Sequence, residues 1–247
     1  LGFNSTMVQV AYYSRARQII GILLTISTSF LRVIISRTNS YKEKDKARYE
    51  KILEKSMAVI LIFIIPFTIM VILFSKNILI VVGGEKFIEA ANTLKIMGVV
   101  IIMSGLSVWY NYQICIPLKE EKIIFKGLIF LVIISLGIGY IFNNKYGAIG
   151  MASGIVIGEI INFFIIIRCL VLKKIKIVYF KKEFLSIIFS SIISGIIIKY
   201  LIKLYNSNIF ISIILLCIYI GNYIILLILI DKVFFKSYLK NIILKGV

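Results

Sequence analysis

The sequence predicts an all-α fold, a polytopic membrane helix bundle of about seven transmembrane helices, and three observations carry that prediction. Seven stretches, 11–34, 57–80, 95–116, 123–142, 148–171, 184–204 and 209–231, are nearly free of charge. Each is long enough for a helix rising about 1.5 Å per residue to cross a hydrocarbon layer of roughly 30 Å. Hydrophobic residues make up 60% of the 247 and the mean hydropathy is +1.02, whereas a soluble domain has an apolar share of roughly 45–50%. Finally, the loops alternate in charge. Segments 32–56, 117–126, 172–183 and 231–247 hold twenty of the 29 Lys and Arg, while 76–95, 143–147 and 199–208 hold six and 1–10 holds none. Basic loops stay cytoplasmic, so this pattern predicts a chain that starts outside and ends inside.

Composition excludes several functions. The formal charge of +18 is distributed loop by loop rather than along one face, which fits membrane topology and anionic membrane lipid rather than nucleic acid. Histidine is absent, so a triad hydrolase or a His-ligated metal enzyme is excluded. Cys115, Cys169 and Cys217 are an odd number, widely spaced and set in apolar stretches, which suits small packing residues and neither zinc nor disulfides. No cofactor or metal is expected. The chain opens Leu1-Gly2-Phe3-Asn4, without Met or a cleavable signal, and reads as the second half of something longer.

Span 11–34 is the least apolar, interrupted by Arg15, Arg17, Gln18, Thr25, Ser27, Thr28 and Ser29. Polar groups at membrane depth normally face a bundle interior or a watery cavity, so this helix is the first candidate for a cavity wall. Its polar residues do not form one clean stripe, and Arg15 and Arg17 lie about 200° apart at 100° per residue, so at most one can point squarely into a lumen. Segment 35–56 is a mixed-charge run with helical spacing, predicting a short interfacial helix that Asn39 or Ser40 could cap. Pro66 should bend span 57–80, which neighbouring helices can tolerate by re-satisfying the freed carbonyl. Gly83-Gly84 ends that helix, and 85–94 makes an external turn.

Span 95–116 carries Trp109, Tyr110 and Tyr112, which an interfacial aromatic belt would explain, together with Asn111 and Gln113, which need protein or water partners. Ile116 to Lys122 and Asn143 to Gly150 read as tight turns. In span 148–171, Gly150, Gly154 and Gly158 recur every four residues, a spacing that lets helix backbones approach closely. The same span holds Glu159, the one acidic residue well inside any span, with Asn162 nearby. Glu159 could pair with Arg15 or Arg17, bind a coupling cation or carry a proton. Spans 184–204 and 209–231 are plainer and Ile-rich, predicting peripheral lipid-facing helices away from any central site.

The order of these features resembles a known family. Asn4 to Ala16 resembles an external loop leading into a helix that opens on Tyr-Ser. Leu73 to Lys76 with Gly84 to Phe87, Gln113 to Lys119, and Asn143 to Gly150 resemble three further turns in the expected order. Together they are similar to bacterial polysaccharide flippases, the O-antigen and capsule exporters of the multidrug/oligosaccharidyl-lipid/polysaccharide exporter superfamily. The similarity covers residues 1–172, and 173–247 matches in hydropathy alone.

The resemblance implies a fourteen-helix fold, of which this chain is one lobe of a two-lobe flippase plus two peripheral C-terminal helices. It divides the chain into a partial C-terminal-lobe bundle, 1–172, and two added helices with a cytoplasmic tail, 173–247. It implies a bacterial cytoplasmic membrane protein that is not an enzyme. Its expected partners are the missing N-terminal lobe, membrane lipid and an undecaprenyl-diphosphate-linked glycan. Arginine suits diphosphate oxygens, so Arg15 and Arg17 are candidate contacts, with Asn111, Gln113, Glu159 and Asn162 in the cavity and Arg32 and Arg37 at its cytoplasmic mouth. A multidrug exporter and a lipid II flippase of the same superfamily remain alternatives, as does a membrane polysaccharide polymerase or acyltransferase. The last would be expected to use a large external loop or a membrane histidine, and the chain has neither.

Overall fold

The computed structural model describes residues 6–41, 45–175, 184–204 and 209–234. The described residues form helices α1 (Met7–Thr28), α2 (Leu31–Tyr41), α3 (Lys46–Gly83), α4 (Ala91–Tyr110), α5 (Glu121–Tyr146), α6 (Ala148–Leu172), α7 (Leu185–Leu204) and α8 (Ile209–Phe234), with short 3-10 and π segments between. They give seven segments long and apolar enough to cross a membrane, α1 and α2 counting together. The predicted polytopic bundle is therefore observed. The turn 205–208, the lysines of 176–183, the tail beyond Phe234 and the side chain of Arg37 lie outside the described residues.

The first span breaks where the sequence predicted one helix over 11–34. At Ser29 and Phe30 the α1 ladder ends and α2 begins. The break is held from the next lobe layer: Gln113 is buried, accepts a hydrogen bond from the Thr38 hydroxyl at 2.7 Å and donates to the Leu31 carbonyl at 3.3 Å. The interfacial helix expected in 35–56 is α2 plus the start of α3. Its cap is not Asn39 or Ser40, which lie inside α2, but Asp45, whose carboxylate accepts the Arg48 amide at 3.0 Å. A carboxylate suits an N-terminus because the first-turn amides lack partners and the helix dipole is positive there.

Helix α3 runs through the middle of the bundle, packing against α1, α2, α4, α7 and α8. Two irregularities mark it, Pro66 and the non-helical Phe74 at φ −117° and ψ 23°. Helix α4 lies along it closely enough that a Cβ on Gly105 would come within 2.9 Å of Ile64, and one on Gly98 within 3.1 Å of Val71. At the end of α4, Asn111–Cys115 winds as a π-helix, with the Ile116 amide reaching the Asn111 carbonyl at 2.9 Å. Such widened turns concentrate where a helix accommodates a special side-chain arrangement. Trp109 is fully buried here and donates to the Ser56 hydroxyl at 3.0 Å, and Tyr110 is buried against Phe163. Both are core anchors rather than the belt residues the sequence suggested.

The α5–α6 hairpin is the tightest pair. A Cβ on Gly154 would sit 2.6 Å from the Gly139 amide nitrogen and 2.7 Å from the Ser135 carbonyl oxygen, backbone atoms that cannot move aside. The four-residue glycine spacing thus serves backbone contact, as predicted. The turn needs Gly147 at φ 53°, and Gln9 of α1 closes it by accepting the Ala148 amide at 2.9 Å.

Candidate functional site

Polar groups at membrane depth gather on two neighbouring surfaces, one exposed on α1 and one buried between α4 and α6. On α1, Ser14, Gln18, Gly21, Thr25 and Ser29 are exposed, and at 100° per residue they fall within roughly 80° of arc. The stripe is cleaner than the sequence suggested because Ser27, which blurred it, turns inward, while Thr28 is half-buried at its edge. Their hydroxyls donate to the carbonyls of Leu23 and Leu24 at 2.7 and 2.8 Å. This is the usual way a membrane helix satisfies a hydroxyl without a partner. Ile22 and Ile26 border the stripe on one side, and Arg17 borders it on the other.

The two α1 arginines part company. Arg15 is half-buried, donates to the Gln18 side chain at 3.0 Å and lies over the Phe87 ring at 4.9 Å. Phe87 belongs to the 3-10 turn Glu85–Ala90, which Tyr12 also joins by donating to Glu89 at 2.7 Å. Arg15 is therefore engaged with the turn that joins α3 to α4. Arg17 is exposed on α1, which packs against α6, the helix of Glu159.

Glu159 is only 7% exposed. The side chains of Asn162 and Ser104 lie within hydrogen-bonding reach of its carboxylate, yet its Oε2 accepts no hydrogen bond. Among the described residues it forms no salt bridge. The remaining buried side-chain oxygens without a partner among the described residues, Ser107 Oγ and Asn111 Oδ1, sit on the face of α4 that carries Ser104. Buried polar groups are rarely left unsatisfied, so this concentration separates the α4–α6 interface from the rest of the bundle.

Of the residues singled out from sequence, Glu159 and Asn162 lie together on α6, with Arg17 on the neighbouring α1. Asn162 Oδ1 fills the notch over Gly127, where a Cβ would meet it at 2.3 Å. Asn111 lies further along the α4 face, while the Gln113 amide is committed to α2. Arg32 is exposed at the start of α2. Reasoning from sequence missed Ser14, whose spacing of four from Gln18 gave the signal, and Ser104 and Ser107, which gave none beyond their occurrence in an apolar run. The arrangement offers an exposed cation beside a polar stripe, with a buried carboxylate on the neighbouring helix.

Likeness to known proteins follows this geometry. The structure superposes on the lipid II flippase MurJ in its inward closed conformation with a TM-score of 0.72 and 21% identity, covering 91% of this chain and 47% of that one. The chain has the fold of the matched part of that flippase. It spans about half the length of the solved structure it matches. Residues 2–92 match the model of a family described as polysaccharide biosynthesis protein, so the segment carrying the polar stripe is also the one the family model recognises. No curated protein matches. Both findings agree with the resemblance to polysaccharide flippases drawn from the motifs.

Proposed function

We propose that the full-length protein moves undecaprenyl-diphosphate-linked oligosaccharide repeat units from the cytoplasmic to the outer leaflet of a bacterial cytoplasmic membrane by alternating access, with the C-terminus cytoplasmic. The observation that carries this reading is the exposed polar stripe of α1 with Arg17 at its edge. Such a surface is costly against lipid and suits a water-filled cavity closed by a second lobe, the usual plan of transporters built from two rocking halves. Residues 1–172 supply the lobe and 173–247 the added helices and tail. Arginine holds diphosphate oxygens through a planar fork, so Arg17 contacts the diphosphate while Ser14, Gln18 and Thr25 line the path of the sugars. The polyprenyl chain stays in lipid. Glu159 keeps Arg17 oriented when no diphosphate is bound. Lipid II transport is a second reading, favoured by the likeness to a lipid II flippase, and it uses the same diphosphate chemistry.

The test expresses the full-length protein in cells lacking their own repeat-unit flippase and, separately, in cells depleted of their lipid II flippase. At matched expression, the Arg17→Ala variant should lose at least about tenfold in surface polysaccharide, the scale of a lost charge-assisted contact to the moving group. Arg15→Ala should retain most of it. Rescue of only the lipid II-depleted cells would move the assignment to the second reading. Failure of both by a well-expressed protein, with resistance to cationic drugs instead, would overturn it.

A further inference from the structure

The C-terminal hairpin α7–α8 looks peripheral in sequence, and its outer surface is apolar: Ile196, Tyr200, Phe210, Ile214, Ile225 and Ile228 are exposed. Its inner surface is different. Tyr219 and Tyr223 are buried, and their hydroxyls donate to backbone carbonyls of α3, Tyr219 to Pro66 and Tyr223 to Ile62, each at 3.0 Å. The second acceptor is special. In an α-helix the carbonyl of residue 62 receives the amide of residue 66, and residue 66 is a proline with no amide to give. Tyr223 therefore donates to the carbonyl that Pro66 orphans.

Several observations make this a matched device. Tyr219 and Tyr223 are four residues apart, as are Pro66 and Ile62, so one face of α8 presents two hydroxyls to two successive turns of α3. Tyr219 also packs edge-on against Phe74 at 5.5 Å between ring centroids, and so spans from the proline to the second irregularity of α3. Beyond it, the Asn77 amide donates to the Ser212 hydroxyl at 3.0 Å, and Leu73 fills the notch over Gly195 of α7. On the other side of α3, the close contacts with α4 at Ile64–Gly105 and Val71–Gly98 lie before and after Pro66. A change in the bend of α3 would change the seating of α4, the helix that brings Ser104 to Glu159.

We infer that Tyr219 and Tyr223 form a latch that substitutes, from α8, for the backbone donor missing at Pro66, so that the C-terminal hairpin sets the bend of α3 and thereby the position of α4. The two tyrosines are positioning residues. An apolar medium has no water to take over an orphan carbonyl, so the hydroxyl is needed in the proline background and superfluous once the proline is gone.

That dependence is the test. In the purified full-length protein, Tyr223→Phe should lower the thermal midpoint by roughly 2–4 °C, as expected of one lost buried bond. In a Pro66→Ala background, where the new amide reaches the Ile62 carbonyl, the same change should cost less than about 1 °C. Equal losses in both backgrounds would overturn the latch and leave a tyrosine that merely packs. Should Pro66→Ala fail to fold, spin labels at the exposed positions Lys51 and Val82 of α3 give a second reading. Tyr223→Phe should broaden their distance distribution, whereas Tyr200→Phe, on the exposed face of α7, should not. An unchanged distribution would also overturn the latch. Neither readout depends on which substrate is carried.

Discussion

Helices α1 and α5 each turn one face outward at membrane depth, and the two faces have opposite chemistry. On α5 the exposed residues include Phe125, Leu128, Val132, Ile133, Leu136 and Ile141. Those on α1 include Ser14, Arg17, Gln18 and Thr25, flanked by Ile22 and Ile26. Exposure alone therefore says little in this bundle. Against hydrocarbon, an outward-facing Ile costs nothing, whereas an outward-facing Arg or Gln needs water or another protein surface. The α5 face is one that suits lipid, and the α1 face is one that lipid cannot cover cheaply.

The largest expected effect tests that difference with one substitution on each face. Ile133→Lys places an ammonium on the outer surface of α5, where Ile133 is 63% exposed, and should cost about 2.5–3.5 kcal/mol of membrane integration. Gln18→Lys on the α1 stripe should cost less than about 1 kcal/mol, since the head group meets water there. The membrane-integrated fraction of the two variants measures both. Equal costs would mean that α1 faces lipid, and the cavity assignment would go with it.

A smaller effect separates the inside of the α5–α6 hairpin from its outside. Gly154→Ala drives a methyl into the Gly139 and Ser135 backbone and should cost about 1–3 kcal/mol. Gly137→Ala, with nothing within 4 Å of the added atom, should be neutral or slightly stabilising because alanine is the better helix former. Thermal unfolding in detergent distinguishes them, and a matching loss at Gly137 would place a protein contact on the face assigned to lipid.

How much of this was legible in the sequence depends on whether the governing contact is local. The number of spans, the glycine spacing and the Gly84 and Gly147 turns are local patterns, and they read correctly, whereas the break at Ser29 and Phe30 in the first span did not. The cap at Asp45 was misplaced because Asn39 and Ser40 are equally good capping types, and the continuation of α2 past them rests on packing and on Gln113. Trp109 looked like a belt residue because its type names a depth in the membrane and not a face. Its indole finds Ser56, 53 residues away. The tyrosine latch joins residues 153 and 161 apart, so Pro66 announced that some neighbour would be needed but not which one. For the site, Arg17, Glu159 and Asn162 stood out as polar groups in apolar runs, while their placement on neighbouring helices depended on how α1, α4 and α6 pack.

Thr25 gives the smallest effect and the sharpest view of the α1 stripe. Its hydroxyl donates to the Gly21 carbonyl of its own helix at 2.8 Å, so Thr25→Val removes a bond that already-paired backbone does not need. Stability should change by less than about 0.5 kcal/mol. The hydroxyl's value lies in wetting the surface, which stability cannot report. Accessibility can. In a background with Cys115, Cys169 and Cys217 replaced, Thr25→Cys in the full-length protein should react with a membrane-impermeant maleimide in the state whose cavity is open to the reagent, and Ile133→Cys should not. Thiol reaction needs the thiolate, which forms in water and not in hydrocarbon, so the reagent reads the medium against each helix directly. Labelling at position 25 that is lost when the two lobes are cross-linked shut would identify that water as the cavity's own, while labelling at neither position would return α1 to the lipid-facing class of α5.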